Sequence, residues 1–247
     1  MSSKKTYFVS DIHLGLRAEA KSLDRDRKFA RWLNEVSADA ESIYILGDLF
    51  DYWYEYKTVV PRGYTRVLGK LAELADAGIN IHIFPGNHDI WMFTYFQKEL
   101  GATVHHKQPY ETEISGKTFL MAHGDGLGPG DRGYKFLRKI FTCRFIQLLY
   151  AMIHPRITMG FAYAWAKHSR LSKGVATPFQ GKNELLYKYT QEVLKEKQIS
   201  YFVFGHRHTP IIMDVGEGSS LVILGEWIRG CEYAVFDGQK VELKKFE

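Results

Sequence analysis

Five short apolar runs in this chain each end on a residue that can bind a metal ion or carry a proton. KTYFVS (5–10) gives way to Asp11-Ile12-His13, and SIYIL (42–46) to Gly47-Asp48, with Asp51 close behind. INIHIFP (79–85) leads to Gly86-Asn87-His88-Asp89, KTFLMA (117–122) to His123-Gly124-Asp125, and YFVF (201–204) to Gly205-His206-Arg207-His208. Runs rich in Ile, Val, Phe and Tyr and bounded by Gly or Asp read as buried strands. Helical spacing fills the gaps: Phe29, Trp32, Leu33 and Val36 predict a helix over 24–38. Leu68, Leu71, Ala72 and Ala75 predict a second, stopped near Gly78, and Leu186, Tyr189 and Val193 a third over 184–196. Strand–helix alternation is the signature of a layered α/β domain, and such domains gather ligands at the carboxyl ends of their strands. The five loops should therefore converge on one place.

That place would hold Asp11, His13, Asp48, Asn87, His123, His206 and His208. Carboxylate, amide carbonyl and imidazole are ligands of borderline divalent metals such as Mn²⁺, Fe²⁺ or Zn²⁺. Seven exceed what one ion needs; two ions sharing one carboxylate fit the count, an arrangement suited to activating water and clamping a phosphoryl group. The mixed set suits two divalent ions of Mn²⁺. After YFVF, three further runs (211–215, 220–224 and 231–236) are separated by Gly and Asp-Gly turns and predict an antiparallel meander.

One segment breaks the pattern. Between Leu127 and Lys182 there are ten Lys or Arg residues and one acid, Asp131, so this stretch carries +9 while the rest of the chain carries −4. It has no strand alternation and is rich in aromatic residues, which reads as a helical cap over 127–182 inserted in a single domain spanning 1–247. Phe136, Leu137, Ile140, Phe141, Phe145, Leu148 and Leu149 form an apolar set among its cations. The set could pack against the body or meet a lipid; the charge favours an anionic partner, an anionic membrane surface before nucleic acid. Two cysteines, neither in a CxxC, point to a reducing compartment. The amino terminus shows no signal-peptide pattern, and no 18-residue apolar run appears, so a cytoplasmic protein is expected.

The set D-x-H, GD-x-x-D, GNHD, HGD and GH-x-H, in this order, resembles the calcineurin-like metallophosphoesterase superfamily. The resemblance implies a four-layer αββα sandwich. It implies that Asp11, His13 and His208 hold one metal and Asn87, His123 and His206 the other, with Asp48 bridging. His88 would face the substrate phosphate or leaving group, oriented by a hydrogen bond from Asp89. Within the superfamily, YILGDLFDYW, HGDGLGPGDRGY and LGEW (224–227) are similar to blocks of the UDP-2,3-diacylglucosamine pyrophosphatase family of lipid A biosynthesis. That similarity implies a nucleotide-lipid substrate, cut by in-line attack of water at its α-phosphate, and a peripheral position on the cytoplasmic face of the inner membrane. It implies substrate contacts from Asn87, His88, Asp131, Ser169, Lys173 and His206. One departure stands: a branch of this family has Arg where this chain has His88. Other phosphoesterase substrates (a nuclease's, a cyclic-nucleotide phosphodiesterase's) and a non-catalytic scaffold are the alternatives.

The remaining histidines read as structural. His82 lies within a strand as a packed polar residue, and His105, His106 and His154 lack ligand spacing and read as surface or turn residues, while His168 is a weaker substrate candidate beside Ser169. Asp51 reads equally as a turn residue or a support for the metal loop. Arg207, between two expected ligands, has no evident role.

Overall fold

In the computed structural model, which describes residues 4–16, 22–162, 164 and 178–247, the central strands sort their side chains by parity into three apolar layers. In β1 (Lys5–Val9), Tyr7 and Val9 enter one layer and Phe8 the next. β2 (Ala40–Leu46) does the same with Ile43 and Ile45 against Tyr44 and Leu46. β6 (Lys117–Ala122) shares the middle layer through Phe119 and Met121 and gives Leu120 and Ala122 to the third. β7 (Tyr201–Phe204) sends Val203 to the middle and Phe202 and Phe204 outward. The middle layer is thus the seam between two sheets.

The first sheet adds β3 (Asn80–Phe84), β4 (Thr103–Val104), β10 (Glu232–Phe236) and β11 (Val241–Lys245), in the order β11-β10-β1-β2-β3-β4. The second adds β5 (Tyr110–Ile114), β8 (Ile211–Gly216) and β9 (Ser219–Ile223), in the order β5-β6-β7-β9-β8. Helices α1 (Ser22–Val36), α2 (Thr65–Asp76) and α3 (Tyr95–Leu100) supply the helical side of the first layer through Phe29, Trp32, Leu71 and Phe96. Leu186 of α6 (Leu185–Leu194) covers the second sheet. The result is the expected αββα sandwich.

β1, β2 and β3 run parallel, as do β6, β7 and β9. The carboxyl ends of β1, β2, β3, β6 and β7 therefore carry the five loops to one edge of the seam. The expected C-terminal meander is corrected. β8 and β9 form an antiparallel hairpin in the second sheet, β10 and β11 another in the first, and the chain changes sheets between them. Gly and Asp-Gly turns fix a local pair; which sheet a pair joins is decided by burial, and β9 needs cover on both faces for Val222 on one and Leu221 and Ile223 on the other.

Within 127–182 the described residues form α4 (Arg132–Thr142), α5 (Arg144–Ala151) and a helical stretch over 155–162, before α6 (Leu185–Leu194). Neither α4 nor α5 buries a residue. Phe136, Phe145, Leu148, Met152, Ile157 and Phe161 lie 62–82% exposed. Hydrogen bonds and ring contacts hold this part down: Trp91 packs against Phe141 and Tyr150, both at 5.3 Å between ring centroids. Tyr52, Tyr54 and Tyr56, at alternate positions, reach Tyr150 Oη at 2.9 Å, the Gln147 carbonyl at 2.7 Å and the Thr158 hydroxyl, respectively. Trp91 Nε1 donates to the Phe141 carbonyl at 2.9 Å. Among the described residues, no helix is long and apolar enough to cross a membrane.

Candidate metal centre

The loops that leave these strands bend sharply, and the bend is built into the backbone of the expected ligands. Asp11, His13, Asp48, His206 and His208 all have left-handed φ, between 49° and 67°. Each such residue costs on the order of 1–3 kcal/mol and persists only where its surroundings over-determine it. Here they do. Asp11 N donates to the Gly47 carbonyl at 3.1 Å and His13 N to the Asp48 carbonyl at 2.9 Å. His88 N donates to Asp48 Oδ1 at 2.9 Å and His206 N to Asp11 Oδ2 at 2.8 Å. Glycine makes the approach possible: a Cβ on Gly86 would stand 2.2 Å from Asp48 Oδ1 and 2.5 Å from its amide nitrogen.

The side chains then form two groups joined by one carboxylate. Asp11 Oδ1 lies 3.0 Å from His208 Nε2 and 3.8 Å from His13 Nε2, and the two imidazole nitrogens are 3.5 Å apart. His123 Nε2 lies 3.1 Å from Asn87 Oδ1, and the His206 ring stands edge-on to it at 5.1 Å. Asp48 Oδ2 faces both groups, 3.8 Å from His13 Nε2 and 3.5 Å from His123 Nε2. All seven expected ligands are brought together.

Burial disfavours the Asp48 carboxylate, but the His123 and His88 rings outweigh it and hold the group well below the usual range. Asp11 behaves alike, burial being overcome mainly by His208. His206 moves the other way: burial lowers it to about 4, leaving a neutral imidazole fit to ligate. Two observations show that cations fit. Asp11 Oδ1 is buried and, among the described residues, accepts no well-formed hydrogen bond although His208 Nε2 stands 3.0 Å away, and imidazole Nε2 atoms of His13 and His208 converge on the same space as that oxygen. Orphaned acceptors and ring nitrogens meeting at one point are satisfied by a metal ion.

One expectation fails. Asp89 does not orient His88: its two oxygens accept backbone N–H groups, Gly86 at 2.7 Å and Phe50 at 3.1 Å, which pins the GNHD turn to the GD-x-x-D loop. Burial, with the Asp48 charge, pushes its carboxyl up to about 7. The His88 ring meets Asp51 instead, with Nδ1 donating to the Asp51 carbonyl at 3.1 Å and lying 3.8 Å from its carboxylate. Asp51 Oδ1 also stands 3.5 Å from His13 Nδ1. The i+3 spacing of GD-x-x-D was the signal for it. Asp131 is an exposed N-cap of α4, accepting from Tyr134 N at 3.4 Å. Ser169, Lys173 and His168 lie outside the described residues.

Several supports were not anticipated. The Ser10 hydroxyl reaches Asp11 Oδ2 at 2.6 Å. Gln108 accepts from His123 N and donates to the Pro85 carbonyl, both at 2.8 Å. Asp125 accepts from Tyr134 and Arg138 of α4, tying that helix to the HGD loop. Arg207 now has a place: its guanidinium grips buried Glu184 in a two-point contact, Nε at 2.9 Å and Nη2 at 3.2 Å, fastening the GHRH loop to the start of α6. No local pattern in the sequence links Arg207 to Glu184.

Comparison with known proteins agrees with this geometry. The family model for calcineurin-like phosphoesterases matches residues 4–210. The chain belongs to that family. It is accordingly an enzyme that hydrolyses phosphate esters with the help of metal ions. It is 41% identical to the UDP-2,3-diacylglucosamine hydrolase of Porphyromonas gingivalis over 257 aligned positions, covering 98% of each chain. The enzyme of the same name from Ectopseudomonas mendocina is 28% identical, with 97% of each covered. Among solved structures, a novel archaeal phosphodiesterase aligns at 12% identity and a TM-score of 0.48, covering 98% of this chain and 99% of its own. A dimetal phosphatase from Danio rerio aligns at 13% identity and a TM-score of 0.44, with all of both chains covered.

Proposed function

We propose that this enzyme hydrolyses the diphosphate of UDP-2,3-diacylglucosamine to UMP and 2,3-diacylglucosamine 1-phosphate, a step of lipid A biosynthesis. The observation that carries this reading is the end-to-end 41% identity to a relative of that name. The surface supports it. A substrate with two acyl chains and a diphosphate needs apolar contact beside cations, at about 0.8 kcal/mol for each CH₂ buried. The exposed side chains of α4, α5 and 155–162 offer both. In this reading residues 127–182 are the cap, and their apolar face rests on the anionic surface of the inner membrane from the cytoplasmic side. Asp131, Ser169 and Lys173 would contact the lipid sugar.

The proposed cofactors are two ions of Mn²⁺, one held by Asp11, His13 and His208, the other by Asn87, His123 and His206, with Asp48 shared. When bound, they supply activation of water and charge compensation at phosphorus. The chain supplies placement. Its left-handed ligand backbones, locked by cross-loop hydrogen bonds, hold the donors ready before substrate arrives. Asp51 fixes the His88 ring through Nδ1, which gives Nε2 the task of contacting the phosphate or the departing group. Asp89 keeps the GNHD turn in register, and with it Asn87 and His88.

Detergent-dispersed nucleotide lipid, incubated with enzyme and Mn²⁺, should yield UMP, and His123→Ala should abolish the yield. DNA and cyclic nucleotides should not be turned over. Metal-loaded wild type that releases no UMP but cleaves DNA would replace this substrate with a nuclease's.

A further inference from the structure

The apolar surface of the cap accounts for an amphiphile's tails and says nothing of its nucleotide. A second cavity, of about 460 Å³, lies between the segment after the GNHD turn and helices α4 and α5. Its volume falls within the range of small-molecule sites. Its lining differs from the cap's outer face: Arg138, Arg144 and His106 from three different segments, with Gln108, Gln147, Thr94 and Thr142, over a base of Ile90, Met92 and Phe93. Among the described residues, no carboxylate lines it. Arg138 is already paired to Asp125, so Arg144 is the cation a ligand would meet, and a lining with a cation and no anion favours an anionic ligand.

Its walls are tied to the loops of the metal centre by the chain and by hydrogen bonds. Pro85 is two residues before Asn87. Gln108 holds both the Pro85 carbonyl and the His123 amide, so one side chain of the pocket braces the loops that carry two expected ligands of the same ion. Arg138, opposite, is paired to Asp125, two residues past His123. A phosphate between the metals and a group in this pocket would be neighbours on one ligand.

The pocket's chemistry also suits a flat heterocycle. Arg144 stands over the Phe93 ring, 6.0 Å from its centroid, a pairing that presents a planar cation beside an aromatic face. Gln147, which lines the pocket, donates its amide nitrogen to the Phe141 carbonyl at 2.9 Å, which fixes the amide's orientation and leaves Oε1 buried and without a partner among the described residues. An orphaned amide oxygen is a vacancy for an N–H donor. A guanidinium donor next to an amide acceptor matches the carbonyl and imide N–H edge of a pyrimidine base.

We propose that this pocket is the subsite for the nucleoside monophosphate half of the substrate, with Arg144 and Gln147 reading the base and Phe93 lying against it. The proposal rests on the nucleotide-lipid reading above but is tested apart from it. The probe is UMP, titrated calorimetrically into the manganese-loaded full chain. Arg144→Ala should weaken UMP binding at least tenfold. Thr142→Trp, at an exposed position of the wall, should block it by filling the space; thermal unfolding of each variant checks that it folds. With the nucleotide lipid, both variants should raise KM more than they lower kcat. UMP binding that both folded variants leave intact, or wild type that does not bind UMP, overturns the subsite. If UMP binding depends on Arg144 but wild type does not cleave the nucleotide lipid, the subsite stands and the substrate assignment falls. If the lipid is cleaved with KM unmoved in both variants, the assignment stands and the subsite falls.

Discussion

Gly205→Ala adds one methyl group where the end of β7 meets the loop that follows β1. A Cβ there would stand 1.9 Å from Ser10 Oγ, 2.7 Å from Ser10 Cβ and 2.8 Å from Asp11 Oδ2. None of these can give way cheaply. Ser10 is wholly buried, and its hydroxyl lies 2.6 Å from Asp11 Oδ2 and 2.8 Å from the Leu46 carbonyl. Overpacking of a tight core costs about 1–3 kcal/mol, and losing the hydroxyl's bond to a carboxylate costs about 1.5–3 kcal/mol more. The sum, roughly 3–6 kcal/mol, corresponds to a fall in the unfolding midpoint on the order of 10 °C for a domain of this size. Asp11 should also rotate out of place, so hydrolysis of bis(p-nitrophenyl) phosphate should fall further than unfolding alone explains. Ser10→Ala in the same chain removes the nearest atom but not Ser10 Cβ, so the double variant should recover part of the midpoint and little of the rate. Gly69→Ala, in α2 with open space around it, is the control and should gain about 0.5–1 kcal/mol. Thermal unfolding followed by circular dichroism and the phosphodiesterase assay read all four. A Gly205→Ala enzyme with its midpoint within about 2 °C of wild type and its rate intact would refute the claim that this glycine exists to let the loops meet.

Three further outcomes are expected. His82 Nδ1 and His105 Nε2 lie 3.0 Å apart, and burial lowers both rings to about 4; the folded state stays neutral where the unfolded one, near 6.5, takes up protons. Their contribution is whole above pH 6.5 and is lost as pH falls towards 4, about 2 kcal/mol apiece after allowing for partial exposure, and His82→Phe should flatten that stretch of the midpoint–pH curve. Asp26 is 5% exposed, one of its oxygens lacks a partner, and burial pushes it up to about 6 against Arg25 and Arg66. Its folded pKa lies above its unfolded one, so stability falls as pH rises from about 4 to 6; Asp26→Asn should therefore stabilise by about 2–3 kcal/mol above pH 6 and by nothing near pH 4, measured by urea unfolding. Arg207→Leu removes the two-point partner of buried Glu184 and should cost about 3 kcal/mol in metal-free protein, while loosening His206 and His208 enough to weaken manganese affinity about tenfold in a titration.

The layered α/β body was legible because its buried strands are short apolar runs and its longer covering helices, α1, α2 and α6, carry a 3.6-residue pattern; the four-layer order came from the family resemblance, and α3, six residues long, is too short to show a pattern. β4, two residues long, and β5, whose YETEI carries two exposed glutamates at an edge, have no apolar run to reveal them. That the seven expected ligands would meet was legible because such side chains follow strand ends, a rule of topology rather than of contact. Their supports were not. Asp89 and Asp51 are both carboxylates near His88 in the chain or its loops, and only the path of the GNHD turn decides that one meets backbone amides and the other the ring. Glu184 and Arg207 stand 23 residues apart, joined by a helix, a loop and a strand that no spacing rule connects. The C-terminal hairpins show the same limit, since a turn specifies its own pair and leaves the choice of sheet to the core.

The cluster of Asp11, His13 and His208 at the seam also bears on how the chain assembles. Asp11 and His13 hang from the first sheet and His208 from the second, 195 residues beyond His13. Neither sheet can form this set of donors by itself, so the centre comes into being only when the sheets close on each other, among the contacts of longest sequence separation and therefore slowest to form. Divalent ions would then act late, favouring the closed sandwich over any state in which one sheet is built and the other is loose, because the energy of binding becomes energy of closure. Chelation should accordingly be felt first as hydrogen exchange along the seam between β1 and β7, before the strand interiors lose protection.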